Sequence, residues 1–203
     1  YFRHIDAVID MAAQKGIYIG LLPTWGDKVF KLWGIGPQIF TAENAFDYGK
    51  WIATRYQDRA NVIWINGGDR PEEQDGVNVS GVWRRLGEGI RAGAGSRALI
   101  TYHPGGGRGS SAYFHHDDWL DLNMWQSGHS ALDAPNWDMI AQDYDRQPVK
   151  PVLEGEANYE DHPINPFSRK WIPEYGCFTE YDVRKQAYRA VFAGACGHTY
   201  GHH

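Results

Sequence analysis

The chain of 203 residues contains no apolar run near the roughly 18 residues that a bilayer-spanning helix needs, which argues against a membrane span. It has no surplus of basic charge either. With 20 Lys and Arg against 25 Asp and Glu the net charge is -5, so no electrostatic footprint for nucleic acid is present. Cysteine is scarce: Cys177 and Cys196 stand in neither a CxxC nor a metal-ligand spacing, and a buried thiol pair and one disulfide are both compatible with them. The glycine-rich Pro104-Gly-Gly-Gly-Arg-Gly109 lacks the Gly-Lys-Ser/Thr of a phosphate loop, and no GxGxxG follows a strand pattern, which argues against nucleotide binding. His115-His-Asp-Asp118, and His198 with His202, have neither HExxH nor clustered-Cys spacing, so no metal and no other cofactor is expected. Linkers and low-complexity tracts are missing, which favours one domain over residues 1–203. What is plentiful is aromatic: nine Trp, twelve Tyr and eight Phe make up 14% of the chain, rigid rings that suit a protein core and the faces of sugars alike.

Hydrophobic periodicity alternates between helix and strand. Ile5, Val8, Ile9 and Ala12 recur at helical spacing, Gly16 stands where a helix would stop, and the apolar run Ile17 to Leu22 follows as a buried strand. A second helix over about Ala42 to Tyr56, with Thr41 as its N-cap, leads into a strand at Val62 to Ile65. Ser80 reads as the cap of a third helix carrying Trp83, Leu86 and Ile90, with Gly93 near its end, before a strand at Ala98 to Tyr102. A strand at Leu120 to Trp125, a helix striped by Trp137, Ile140, Ala141 and Tyr144, a strand at Pro151 to Glu156, a helix through Val183 to Val191 and a short strand around His198 to Tyr200 complete six repeats. Strands alternating with helices imply a parallel α/β domain.

Polar and aromatic residues gather just after every one of these strands, which favours a (β/α)8 TIM barrel over an open sheet whose site lies at one switch point. A barrel requires eight strands. The visible six are therefore expected to be strands three to eight of a truncated barrel, with the first βα units upstream of Tyr1, where any leader would also lie. Among the rim residues, Asp69 in Asn61-Val-Ile-Trp-Ile-Asn-Gly-Gly-Asp-Arg-Pro71 and Glu156 in Pro151-Val-Leu-Glu-Gly-Glu156 follow strands three apart, a placement from which two carboxylates can act on one glycosidic bond. Asp69 equally suits a plain turn, since Gly-Gly-Asp is good loop chemistry. Glu154 and Glu156 should share one strand face by the period-2 rule, and two acids turned inward are costly unless used or paired. Trp25 with Asp27, His103, Gln126 with His129, Tyr159, and His198 with Tyr200 could line a sugar subsite, although a single His or Tyr at a strand end is more often a satisfied structural group.

Taken together, LLPTWGDK (Leu21 to Lys28), AxxYGxWxxxRYxDxxNVIWxxGGD (Ala45 to Asp69), the HP segment within Ile100 to Ser111, WLDxNMxQSGH (Trp119 to His129), KPVLxGExxYE (Lys150 to Glu160) and GHTYG (Gly197 to Gly201) resemble the apiosidase-like glycoside hydrolases, glycoside hydrolase family 140 and its relatives. The resemblance covers nearly the whole chain. It implies a (β/α)8 catalytic barrel, often followed by a small β-domain, in secreted or periplasmic bacterial enzymes that dismantle plant polysaccharides. It also implies Asp69 as acid/base, Glu156 as nucleophile or partner carboxylate, and Trp25, Asp27, His103, Gln126, His129 and His198 as subsite residues. Arg108-Gly-Ser-Ser111 departs from the family pattern by an inserted glycine. The expected function is hydrolysis of a glycosidic bond in a plant-type glycan, with an apiosyl linkage of pectin as the finer reading. A non-catalytic carbohydrate-binding barrel is the alternative.

Overall fold

The computed structural model describes residues 1–166 and 173–203. Their contacts cluster into two compact units, Tyr1–Tyr102 with Asp117–Asp121, and His103–His116 with Leu122–His203. In the first unit, helix α1 (Phe2–Gln14) ends at Gly16, whose φ of 69° is the left-handed turn foreseen for it, and strand β1 (Ile19–Leu21) follows. Helix α2 (Ala42–Arg55) begins with a reciprocal capping box between Thr41 and Asn44. It delivers strand β2 (Val62–Gly67), which pairs in parallel with β1, Ile19 opposite Val62. A hairpin of β3 (Glu73–Gln74) and β4 (Val77–Asn78) leads to helix α3 (Ser80–Ala94) and then to β5 (Leu99–His103), which completes the sheet β1-β2-β5.

Helices α2 and α3 pack with their backbones nearly touching. A Cβ at Gly89 would lie 2.2 Å from the Phe46 carbonyl oxygen and one at Gly93 2.4 Å from that of Lys50, so only glycine allows the approach. Gly93 thus packs against a neighbour, while the helix stops at Gly95, φ 80°. The expected Ser80 cap is displaced as well. Ser80 is the first helical residue, and the oxygen that takes its N–H is Oδ1 of Asn78, 2.9 Å away. Beneath the sheet Trp83 and Tyr102 meet edge to face at 5.8 Å, both fully buried.

In the second unit β6 (Arg108–Gly109) precedes a short helix α4 (Ser111–Phe114) and pairs antiparallel with β7 (Asn123–Gln126). Helix α5 (Asn136–Tyr144), strand β8 (Val152–Glu154), helix α6 (Glu180–Phe192) and strand β9 (Gly197–His198) follow, and β7, β8 and β9 run parallel. Ile140, Val152, Ala190 and Ala195 form the core between helices and sheet, closed by the Trp125 ring, whose Nε1 donates to Asp143 at 2.8 Å. Strand β7 starts three residues later than its apolar pattern suggests, because Asp121 is held in the first unit: its N–H donates to Ile100 and its carboxylate binds Arg91 and the Ile100 N–H.

The mixed α/β class and the strand-helix alternation agree with the sequence reading. The closed barrel does not form: among the described residues the ladders join the strands as β1-β2-β5, the hairpin β3-β4 and β6-β7-β8-β9. Neither cysteine is buried and neither is bonded: Cys177 and Cys196 are exposed free thiols, which removes both the buried pair and the disulfide. Among the described residues no helix is long and apolar enough to cross a membrane.

Candidate active site

Strand β2 ends in a turn that only small residues can make. Gly67 and Gly68 have φ of 87° and 132°, and Asp69 follows at φ 52°, a left-handed conformation that Asp tolerates better than most residues. This turn interlocks with Thr24-Trp25-Gly26-Asp27. Gly26 N–H donates to the Gly68 carbonyl at 3.1 Å, and a Cβ on Gly26 would lie 2.2 Å from that same oxygen. Arg70 joins the two motifs from below: its Nη1 donates to the Asp69 carbonyl at 2.6 Å and reaches Asp69 Oδ2 at 3.3 Å. Burial opposes the Arg70 charge, and the carboxylates of Asp69 and Asp27 support it. The Asp69 side chain keeps 27% of its surface exposed. Asp27 is buried and committed locally, accepting from Gly36 N–H at 2.9 Å and Lys28 Nζ at 3.3 Å, and the Gly36 bond is the main reason its carboxyl is held below the usual range. Trp25, Asp27 and Asp69 are thus brought together within the first unit.

Within the second unit, His103, His129 and Tyr159 gather at Glu156. Strand β8 stops at Glu154, and the N–H groups of Gly155 and Glu156 both turn to the Trp125 carbonyl, at 2.8 and 3.4 Å. The two acids therefore do not share a face as the period-2 rule expects. Glu154 is 0% exposed, and burial pushes its carboxyl up to about 7, with the bond from Ser127 N–H at 3.2 Å offsetting only part. Glu156 receives His103 Nε2 on Oε2 and His129 Nε2 on Oε1, each at 3.0 Å. Burial works against its charge, but these two hydrogen bonds and the attraction of the imidazoles outweigh it and lower the carboxyl to about 2. His103 Nδ1 lies 3.1 Å from the Pro104 carbonyl, which can only accept. His129 is clasped between Tyr159 at 4.5 Å and His162 at 4.2 Å, centroid to centroid. Acids whose environments drive them apart suggest a donor and an anion, but full burial keeps Glu154 from reaching any substrate.

The family described as "Apiosidase-like, catalytic domain" matches residues 1–203. The chain belongs to this family. Two solved structures resemble the apiosidase-like chain over its whole length: a glycoside hydrolase family 5 protein from Bacteroides vulgatus, 36% identical with a TM-score of 0.86, and a glycoside hydrolase, 34% identical with a TM-score of 0.85. The apiosidase-like chain covers 43% and 45% of those two chains, under half of each. No curated protein matches it.

The other expected subsite residues of the apiosidase-like chain are more scattered. Gln126 is buried at the end of β7, where its carbonyl accepts from Gly107 N–H at 2.7 Å. His198 pairs with Glu154 in the β8-β9 register, and among the described residues neither of its ring nitrogens has a hydrogen-bond partner; burial lowers its pKa. Tyr200 is exposed and donates to Glu160 at 2.8 Å. Tyr159 lies flat against the Gly201 backbone, where a Cβ would meet its ring at 2.2 Å. Arg70 and His162 carry parts of the two clusters that sequence spacing did not single out. Arg70 directly follows Asp69, which was the available signal. For His162 the six-residue offset from Glu156 offered none.

Proposed function

We propose that the chain is the catalytic part of a glycoside hydrolase acting on a plant-type polysaccharide or oligosaccharide, with an apiosyl linkage of pectin as the finer reading and a secreted or periplasmic setting. The observation that carries this is Glu156: a largely buried carboxylate after a parallel strand, kept anionic by two imidazole N–H donors. Such an anion is suited to attack an anomeric carbon or to activate water, while a second carboxyl protonates the leaving oxygen as the glycosidic bond breaks. Asp69, partly exposed on a turn locked by Gly26 and Arg70, is the proposed proton donor. The barrel reading, with these six strands as three to eight of a (β/α)8 fold, belongs to the same proposal and is supported by the alternation of parallel strands and helices.

The test is turnover of pectic side-chain oligosaccharides by wild type, Asp69→Asn and Glu156→Gln. Glu156→Gln should abolish product release. Asp69→Asn should slow it by roughly 10²- to 10⁴-fold on natural linkages and much less on an aryl glycoside, whose leaving group needs no proton. Near-wild-type turnover by either folded variant would sink that residue's assignment. Glycan binding by wild type without any product would favour the non-catalytic alternative.

A further inference from the structure

Asp27 to Phe40 form a loop built for rigidity around one exposed ring. Leu32 has φ 39° and Gly36 φ 73°, Gly34 N–H donates to Lys31 at 2.6 Å, and the N–H groups of Ile39 and Phe40 both return to the Lys28 carbonyl at 2.8 and 3.1 Å. Gly36 N–H is fixed on Asp27, Lys28 Nζ reaches the Gly36 carbonyl, and a Cβ on Gly34 would lie 2.3 Å from that of Asp27 and 2.8 Å from Arg70 Nη2. At the crest of this loop stands Trp33, 62% exposed. Beneath it is Arg70, 2% exposed, its guanidinium carbon 4.3 Å from the ring centroid. One face of the indole is thus covered by a cation that also grips Asp69, and most of the ring's surface stays in water.

A large aromatic left in water by a mobile loop would need no explanation; one held there by a pinned loop and a buried guanidinium does. The open face is flat, apolar and pre-oriented, so a ligand that stacks on it loses little entropy of the protein in doing so. The C–H-rich face of a pyranose ring matches such a surface, its hydroxyls remaining at the edge to meet water. We propose that Trp33 is a sugar-binding platform, a subsite for a pyranose unit of the glycan adjoining Asp69. The proposal rests on the glycosidase reading above and adds to it a specificity-determining residue and the ring class that it accepts.

The experiment measures initial rates against concentration of pectic oligosaccharides for the full chain, Trp33→Ala and Trp33→Phe. Trp33→Ala should raise KM about tenfold with kcat and its pH profile unchanged, and Trp33→Phe should recover most of the loss. An unchanged KM in Trp33→Ala overturns the platform. So does a lowered kcat with a displaced pH profile, the signature of a ring that only shields the Arg70 and Asp69 pair. Where wild type releases no product, the function reading fails and Trp33 is judged on binding: its indole N–H resonance, assigned through Trp33→Phe, is followed as the same oligosaccharides are added. A shift that saturates supports the platform, and an unmoved signal overturns it.

Discussion

Replacing Glu154 with Gln should change how stability depends on pH, in a direction fixed by burial. The native carboxyl is pushed from 4.5 to about 7, whereas in the unfolded chain it ionises near its ordinary value. Below the unfolded pKa both states hold the proton and nothing is lost. Between the two values the unfolded chain releases the proton and the folded chain keeps it, so stability falls as pH rises, and above the folded pKa the loss is complete. At about 1.4 kcal/mol per pKa unit the full loss is about 3 kcal/mol. Gln is neutral at every pH and retains an oxygen for the Ser127 N–H, so Glu154→Gln should gain on wild type by that amount between pH 4.5 and pH 8. His162 and His198 act oppositely in the same window. Their folded pKa values are lowered chiefly by burial, so they weaken the fold as pH falls, but they are present in both proteins and cancel in the difference. Glu156 contributes stability above its unfolded pKa that is lost only as pH falls toward about 2, outside the window. Urea unfolding of both proteins across pH 4.5 to 8 is the assay. Curves that stay parallel would refute the buried, protonated carboxyl.

Gly26→Ala should cost about 1 to 3 kcal/mol by overpacking, since its Cβ would meet the Gly68 oxygen at 2.2 Å and Arg70 Cγ at 2.5 Å, and turnover should fall further than stability because the Asp69 turn must move. Gly81→Ala, with nothing within 4 Å of the new Cβ, should be neutral or stabilise by up to about 1 kcal/mol in thermal unfolding. His129→Phe keeps the packing against Tyr159 and His162 but removes one donor to Glu156, so the Glu156 carboxyl should rise from about 2 toward 4.5, as read by a carboxyl carbon-13 titration, and the acid limb of the rate profile should rise with it.

Features that depend on a few neighbouring residues were legible in the sequence. Thr41 as an N-cap, and Gly16 after its helix, act within one turn of chain, and the structure has both. Features that depend on distant partners were not. Ser80 has the right chemistry for a cap, yet Asn78 supplies the oxygen. Leu120 to Leu122 read as strand until Asp121 is seen bound to Arg91 and Ile100. The convergence on Glu156 is of this second kind. Its donors stand at 103 and 129: placement after strands and the family motifs marked both as subsite candidates, but no local periodicity encodes that they meet at Glu156. Trp33, in a loop without hydrophobic periodicity, carried no signal of its exposure.

Glu154 and Glu156 bring the two levels together. They are two residues apart, the same amino acid, and both lose water on folding, yet one is driven to about 7 and the other to about 2. Position along the strand cannot be the cause, and burial alone would raise both. The difference lies in the donors. The donors about Glu154, Ser127 and Asn136 among them, offset only part of the hydration it gave up. Glu156 has two imidazole N–H groups at 3.0 Å that can carry charge, one from the residue that ends β5 and one from the loop after β7. A carboxylate fit to act as a nucleophile or base is therefore specified less by the strand that carries it than by the distant residues that supply its donors. The Gly155 step makes that supply possible, because the N–H groups of Gly155 and Glu156 both turn to the Trp125 carbonyl, which breaks the β alternation and gives Glu156 neighbours that Glu154 lacks.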